Sequence, residues 1–183
     1  MSVVKAWSIR GAGGGALPAR TVNLAGFLIC LGLLGFAGYA QFGLHLDPCP
    51  LCIFQRIGIA TLGVVFLIAA LHHPRRWGAA VYAVLIALAA LATVGVAARQ
   101  IYLQHLPPGA APSCGAPLSV MIRFLPLTSV IRKVLTGSGE CAVVDWRFLG
   151  LAMPTWVLLW AAALGLGGVL VNARSARAGT VRA

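Results

Sequence analysis

Residues 46–56 read LDPCPLCIFQR, and the rest of the chain is organised around this stretch. Its Cys-x-x-Cys pair brings two sulfurs close enough to open and close a disulfide. The prolines on either side of Cys49 disfavour helix before Cys52, so we expect a helix to begin about there. Cys52 would then lie at the positive end of a helix, where unpaired N–H groups stabilise a thiolate. Arg56 follows one turn later on the same face, so a permanent cation lies within reach of the sulfur.

The Cys-x-x-Cys pair could also be half of a zinc site or a structural disulfide. Zinc needs four Cys or His ligands, and the five Cys and four His include no second Cys-x-x-Cys and no His-x-x-x-His. A disulfide across two intervening residues stabilises little and strains easily. We therefore predict a redox pair and no metal site.

The composition indicates a membrane protein. Of the 183 residues, 60% are hydrophobic and only 9% are charged, whereas about a quarter of a soluble domain is charged. The net charge of +11 could suggest nucleic acid. The cations instead lie at the ends of apolar runs and form no basic stripe with aromatic residues between them. We expect contact with membrane lipid and no nucleic-acid partner.

Four apolar runs are long enough to cross a bilayer. They predict an all-α integral membrane protein, a four-transmembrane-helix bundle that forms a single membrane domain over residues 1–183. In the first run, Gly32, Gly35 and Gly38 recur every three residues and should let a neighbouring helix approach. The predicted spans are residues 22–44, 52–71, 78–98 and 149–171.

The distribution of charge predicts the orientation. The N-terminal arm (1–21, with no removable signal peptide), the turn at 72–77 and the tail (172–183) carry eight Lys or Arg and no acid. The positive-inside rule places these segments, and so both termini, in the cytoplasm. The outer loops would be about 45–51 and 99–148. They hold the three acids of the chain, Asp47, Glu140 and Asp145.

Four of the five cysteines fall on this outer side, which suits disulfide chemistry in an oxidising space. Cys30 lies within the first span and is predicted to be a small buried apolar residue without a redox role. Cys114 and Cys141 have flexible, exposed, Pro- and Gly-rich surroundings, so another protein could reach a bridge between them. A structural staple that closes the long loop fits this pair equally well.

Residues 119–135 predict a short interfacial helix in the second outer loop. Its apolar face would lie on the membrane, with Arg132 and Lys133 toward lipid phosphates. The alternative is a short core helix packed on the bundle. The residues of the apolar face are Val130, Ile131, Val134 and Leu135.

A dithiol that hands electrons onward within a membrane needs an acceptor that dissolves there. The sequence has no haem motif, no flavin fingerprint and no iron–sulfur spacing. A lipid quinone needs only an apolar slot beside the thiolate and a cation for the developing negative charge. Cys52 and Arg56 at the outer mouth of the second span supply both.

At this point the sequence resembles the bacterial disulfide bond formation protein B (DsbB) family, the quinone-dependent oxidants of the periplasmic thiol oxidase DsbA. The resemblance covers residues 24–171. It rests on residues 48–56, on the Cys114/Cys141 loop and on residues 146–156, which read WRFLGLAMPTW. It implies a four-helix membrane bundle in the bacterial inner membrane with its Cys loops in the periplasm.

The resemblance also implies roles for the cysteines. Cys114 and Cys141 would accept electrons from a reduced, DsbA-like thioredoxin-fold partner. Cys49 and Cys52 would pass them to a non-covalently bound ubiquinone or menaquinone, with Cys52 nearest the ring.

Two further residues match the quinone site of the family. Arg56 matches its arginine, and Met153 matches a residue near that site. Some members carry a His near the top of the third span that is linked to quinone. Gln100 occupies the corresponding place here, and whether His105 substitutes stays open, so no His is assigned to the site.

Two other functions fit parts of the pattern. A structural or assembly membrane protein would use two disulfides only to staple its outer loops. A vitamin-K-epoxide-reductase-like protein also joins Cys-x-x-Cys to quinone in a helix bundle. In that class the motif should lie late in the chain, whereas here it opens the second span.

Overall fold

The computed structural model contains four long helices that are apolar enough to cross a membrane. They are α1 (Ala19–Phe42), α2 (Pro50–His72), α3 (Trp77–Gln104) and α4 (Met153–Thr180). The structure describes residues 18–72, 74, 77–107, 123, 126, 128–130, 139–142, 144 and 146–180. The predicted all-α, four-helix membrane fold is confirmed, and the protein is a multi-pass membrane protein.

The helices pack mainly in chain order, with α1 on α2, α2 on α3 and α3 on α4. Many large apolar side chains point outward, among them Leu28, Leu88 and Leu91. Lipid tails solvate such a surface, so it carries no penalty in a bilayer. The inward-facing core lies at mid-bundle and consists of Cys30, Ile59, Leu62, Phe66, Ile86, Ala90, Ala161 and Leu164.

The predicted role of the glycines in α1 is wrong. A methyl group built on Gly32, Gly35 or Gly38 would meet no atom within 4 Å among the described residues. The close helix contacts are elsewhere. A methyl on Gly58 would lie 2.3 Å from Thr93 Oγ1, which brings α2 against α3. One on Gly165 would lie 2.5 Å from the Cβ atom of Ala90, which brings α4 against α3.

All four helices have boundaries that differ from the predicted spans. Helix α2 begins at Pro50 instead of Cys52, because proline is well accommodated in the first turn. Helix α3 has 28 residues and continues to Gln104. At a rise of 1.5 Å per residue it is about 42 Å long, so it exceeds a hydrocarbon core of about 30 Å.

A short hairpin occupies the predicted start of the fourth span. Strands β1 (Arg147–Phe148) and β2 (Leu151–Ala152) pair antiparallel, and α4 begins only at Met153. The two turn residues, Leu149 and Gly150, have φ values of 51° and 80°. This left-handed backbone closes a tight hairpin and cannot continue into a helix.

Most of the predicted interfacial helix, residues 119–135, lies outside the described residues. Arg123 and residues 128–130 are helical, and the Val130 amide donates to the Pro126 carbonyl at 3.1 Å. Val130 is buried in a small cluster with Leu51, Leu103 and Cys141. Val130, which was expected to face the membrane, therefore packs against protein.

Candidate functional site

The Cys-x-x-Cys pair forms the N-terminal cap of α2. The Cys49 carbonyl accepts the Ile53 amide at 3.2 Å, and Pro50 occupies the first helical position. The Cys52 amide donates to Cys49 Sγ at 3.4 Å. A capping side chain commonly accepts from this third amide of a helix, so the sulfur replaces the usual oxygen cap. Cys52 therefore lies in the first turn of α2, as its local sequence predicts.

The two sulfurs of the pair lie 2.8 Å apart as free thiols. A disulfide needs about 2.05 Å, so a small movement closes the bond. Both side chains are half-buried at the end of the bundle. This geometry suits a pair that alternates between dithiol and disulfide.

Cys141 meets this pair from the segment between α3 and α4. It sits on a 3-10 turn, Gly139–Ala142, and is only 1% exposed within the cluster of Leu51, Leu103 and Val130. Cys49 packs against the same cluster. Hydrogen bonds to Cys141 and Cys52, together with burial, raise the pKa of the Cys49 thiol well above its usual range.

The burial of Cys141 corrects the sequence analysis, which placed both cysteines of the second loop in exposed surroundings. The 3-10 turn Gly139–Ala142 packs on α2 and α3, which brings this sulfur to Cys49. Cys114 lies outside the described residues.

Arg56 lies one turn beyond Cys52, as predicted, and its guanidinium hydrogen-bonds to α1. Its guanidinium donates to Gln41 Oε1 and, at 3.0 Å, to the Ala37 carbonyl. Both acceptors lie near the end of α1, where that helix approaches the start of α2. The cation is thus fixed on the wall of a cavity that Cys52 also lines.

Sequence reasoning assigned no role to Gln55 and left that of Gln100 open. Gln100 Nε2 lies 3.4 Å from the Cys49 sulfur and 3.4 Å from that of Cys52, and its Oε1 accepts from Gln55 Nε2 at 2.6 Å. His105 is exposed and bonds the Ile101 carbonyl through Nδ1 at 2.8 Å. Of the two α3 candidates, Gln100 is therefore the one beside the sulfurs. Gln55, a polar residue within the second predicted span, was an available signal. Gln100 lies beyond the predicted end of the third span and belongs to a helix only because α3 continues to Gln104.

An apolar cavity of about 490 Å³ opens beside the cysteine pair, between α1, α2 and α4. Aromatic rings form one side of it. Trp146 stacks on Phe148 with centroids 5.8 Å apart, and Trp156 Nε1 donates to the Phe148 carbonyl at 3.2 Å. Met153 lines the same cavity. The hairpin and the residues on either side of it thus contribute aromatic side chains to the space that Cys52 and Arg56 border.

The structure brings together all of the described residues that the sequence analysis singled out for the site. Cys30 lies apart, buried in the mid-bundle core as predicted. The grouped residues are Cys49, Cys52, Arg56, Cys141 and Met153.

Comparison with known proteins agrees with this arrangement. The family model described as "Disulfide bond formation protein DsbB" matches residues 19–171. A Methylococcus capsulatus protein named "Disulfide bond formation protein B" is 50% identical over 149 residues, which cover 81% of this chain and 90% of that protein. Proteins of the same name from Xanthomonas oryzae pv. oryzae and Nitrosococcus oceani are 48% and 46% identical. They cover 86% and 78% of this chain, and 92% and 85% of their own lengths. The resemblance seen in the sequence is confirmed: the chain belongs to the DsbB family of disulfide bond formation proteins.

Proposed function

We propose that the protein is a thiol–disulfide oxidoreductase of the bacterial inner membrane. It reoxidises a periplasmic, DsbA-like thioredoxin-fold protein and passes the electrons through two cysteine pairs to a membrane quinone. The observation that carries this proposal is the meeting of Cys49, Cys52 and Cys141 beside an apolar cavity bordered by Arg56.

The first step is exchange with the partner protein. A partner thiolate attacks Cys114 of a Cys114–Cys141 disulfide, forms a mixed disulfide and releases Cys141 as a thiolate. The second partner thiol then attacks its own bridged sulfur, and Cys114 leaves. Attack at Cys114 is favoured because Cys141 is buried, and exchange needs an open line of approach.

The second step passes the electrons inward. The Cys141 thiolate attacks Cys49 of a Cys49–Cys52 disulfide, so a Cys141–Cys49 bond forms and Cys52 leaves with the electron pair. Contact between Cys141 and Cys49 supports this route. Attack by Cys114 on Cys141 then restores the outer disulfide and leaves Cys49 and Cys52 as a dithiol.

The cavity suits a ubiquinone or menaquinone ring. It is apolar, it opens beside Cys52, and stacked Trp146 and Phe148 offer a flat wall. When bound, a quinone accepts the two electrons and two protons released as the dithiol closes to a disulfide. Arg56 contributes a fixed positive charge at the cavity wall, where negative charge on Cys52 or on a ligand oxygen is stabilised.

Catalytic oxidation by quinone tests this function. The protein in lipid nanodiscs should oxidise many equivalents of a reduced thioredoxin-fold thiol oxidase when a short-chain ubiquinone is added. Cys52→Ser and Cys141→Ser should abolish turnover, and Cys30→Ser should retain it. If quinone does not support turnover, or if Cys52→Ser retains it, the two disulfides are structural staples and the proposal is wrong.

We also propose that both termini are cytoplasmic and that both Cys loops are periplasmic, on the basis of the charge asymmetry. In a chain with the five native cysteines replaced by serine, single cysteines at Ser138 and Ser175 report the two sides. A membrane-impermeant thiol reagent should label Ser138→Cys once the outer membrane is permeabilised, and should leave Ser175→Cys unlabelled. The reverse pattern contradicts the orientation.

A further inference from the structure

Two buried glutamines form a chain of hydrogen bonds that ends on the sulfurs. Gln55 on α2 and Gln100 on α3 are 4% and 3% exposed. Gln55 Nε2 donates to Gln100 Oε1 at 2.6 Å, and Gln100 Nε2 reaches Cys49 Sγ and Cys52 Sγ at 3.4 Å each. A buried amide without partners would destabilise the bundle. Here the amide nitrogen of Gln100 lies within hydrogen-bond distance of both reacting sulfurs.

The hydrogen bond from Gln100 to the sulfurs is strongest when a sulfur is ionised. A thiol is a weak hydrogen-bond acceptor, whereas a bond to an ionised acceptor is roughly twice as strong as a neutral one. The Cys52 thiol also lies 3.7 Å from Gln100 Oε1. The amide oxygen can therefore accept a hydrogen bond from the neutral thiol, and the amide nitrogen can donate one to the thiolate.

The orientation of the Gln100 amide decides which of its ends meets the sulfurs. A side-chain amide carries a donor end and an acceptor end of nearly the same shape. Because Gln55 donates to Oε1, rotating the Gln100 amide by half a turn would set the two NH₂ groups against each other. The bond from Gln55 thus keeps Nε2 of Gln100 on the side of the sulfurs.

We propose that Gln100 is a catalytic residue that stabilises the thiolate of Cys52 by hydrogen bonding, and that Gln55 is a positioning residue that fixes the orientation of its amide. This inference rests on the proposed function, in which Cys52 leaves as a thiolate when the Cys49–Cys52 bond breaks. The donors already lie at both sulfurs, so they need no reorganisation as the charge develops.

The test measures thiolate formation without quinone or partner. The reduced protein in nanodiscs is alkylated with iodoacetamide across a pH series, and fragment-ion mass spectrometry assigns the label to Cys49 or Cys52. Gln100→Met should raise the pH of half-maximal Cys52 alkylation by about one unit, a roughly tenfold loss of thiolate below the midpoint. Gln55→Met should raise it nearly as much. The charged or titratable groups around the pair stay in place: Asp47, Cys49, Arg56 and Cys141.

A double variant separates positioning from an independent effect. If Gln55 acts through Gln100, Gln55→Met/Gln100→Met should shift the profile no more than Gln100→Met alone. Thr93→Val is the matched control, because Thr93 is buried on α3 and its hydroxyl bonds the Ala89 carbonyl. It should leave the profile unchanged. Gln100→Asn keeps the amide but shortens it, and replaces Gln100→Met if that variant does not fold.

The outcomes are distinct from those of the function test. An unchanged profile in both Gln100 variants, or additive shifts from Gln55→Met and Gln100→Met, overturns the inference even in a protein that reduces quinone. Non-additive shifts in a protein that cannot use quinone support the inference and overturn the proposed function instead.

Discussion

Two pairs of buried amides lie in this apolar bundle, and they differ in where their hydrogen bonds end. At the end remote from the cysteines, Asn23 on α1 and Asn172 on α4 bond each other at 3.2 and 2.9 Å. Asn172 also donates to the Gly168 carbonyl at 2.8 Å. In the second pair, Gln55 bonds Gln100 once, and the amide nitrogen of Gln100 lies beside the two sulfurs.

The asparagine pair holds two helices together, whereas the glutamine pair lies beside the reacting sulfurs. Asn23 and Asn172 are each 1% exposed. Each donates a hydrogen bond to the other, so the pair links α1 to α4. The glutamine pair leaves its donors on atoms that change charge during the proposed reaction. A buried amide in a membrane helix is therefore interpreted from its partner and not from its burial alone.

The largest expected effect is at the cysteine end. Arg56→Met removes the cation from the cavity wall and should weaken apparent quinone affinity about ten- to a hundredfold, since such an interaction contributes about 1–3 kcal/mol. The measurement is quinone reduction rate against quinone concentration with the thiol partner saturating. Arg174→Met, an exposed arginine near the other end of α4, is the control and should behave as the unaltered protein. An unchanged affinity in Arg56→Met would make Arg56 an interface anchor that snorkels to phosphate.

At the remote end, the expected effect is on stability. Asn23→Leu leaves the Asn172 amide with an unmet bond and should lower the free energy of unfolding by about 1–3 kcal/mol. Thermal unfolding in detergent measures this change. Asn23→Leu/Asn172→Leu removes both groups and should lose less than the sum of the two single variants. Quinone turnover per folded molecule should stay unchanged. A lower turnover would show that the asparagine pair also affects the reaction, which contradicts its purely structural role.

The smallest expected effect concerns the support of Arg56. Gln41→Leu removes one acceptor of the guanidinium and leaves the Ala37 carbonyl. It should weaken apparent quinone affinity roughly two- to fivefold, because one such bond contributes about 0.5–1 kcal/mol. In the Arg56→Met background the same change should have no further effect. An equal loss in both backgrounds would show that Gln41 does not act through Arg56.

Several elements of the site followed from the sequence because they depend on local chemistry. The prolines around Cys49 limit where α2 can start, and Cys52 falls in its first turn as expected. The i+4 spacing placed Arg56 one turn beyond Cys52, and both line the cavity. Met153, which was assigned from the family resemblance alone, lines the same space. The burial of Cys30 also followed, since a thiol in an apolar span without charged residues packs as a small hydrophobe.

The interhelix contacts could not be predicted in the same way. Gln100 lies 48 residues from Cys52 in sequence, and Gln41 lies 15 residues from Arg56. The predicted contact face of α1, with Gly35 at its centre, points away from the other described helices. Each of these outcomes depends on the rotation of a helix about its own axis.

The amino-acid sequence by itself determined the four membrane helices, the position of the Cys-x-x-Cys pair at a helix start and the family. These follow from the length of an apolar run against the thickness of a bilayer, and from the constraints that proline places on the backbone. Only the tertiary structure decided which side chains meet Cys49, Cys52 and Arg56. In lipid both faces of a helix are apolar, so hydrophobic periodicity does not mark the inward face, and close packing and hydrogen bonds between helices select it.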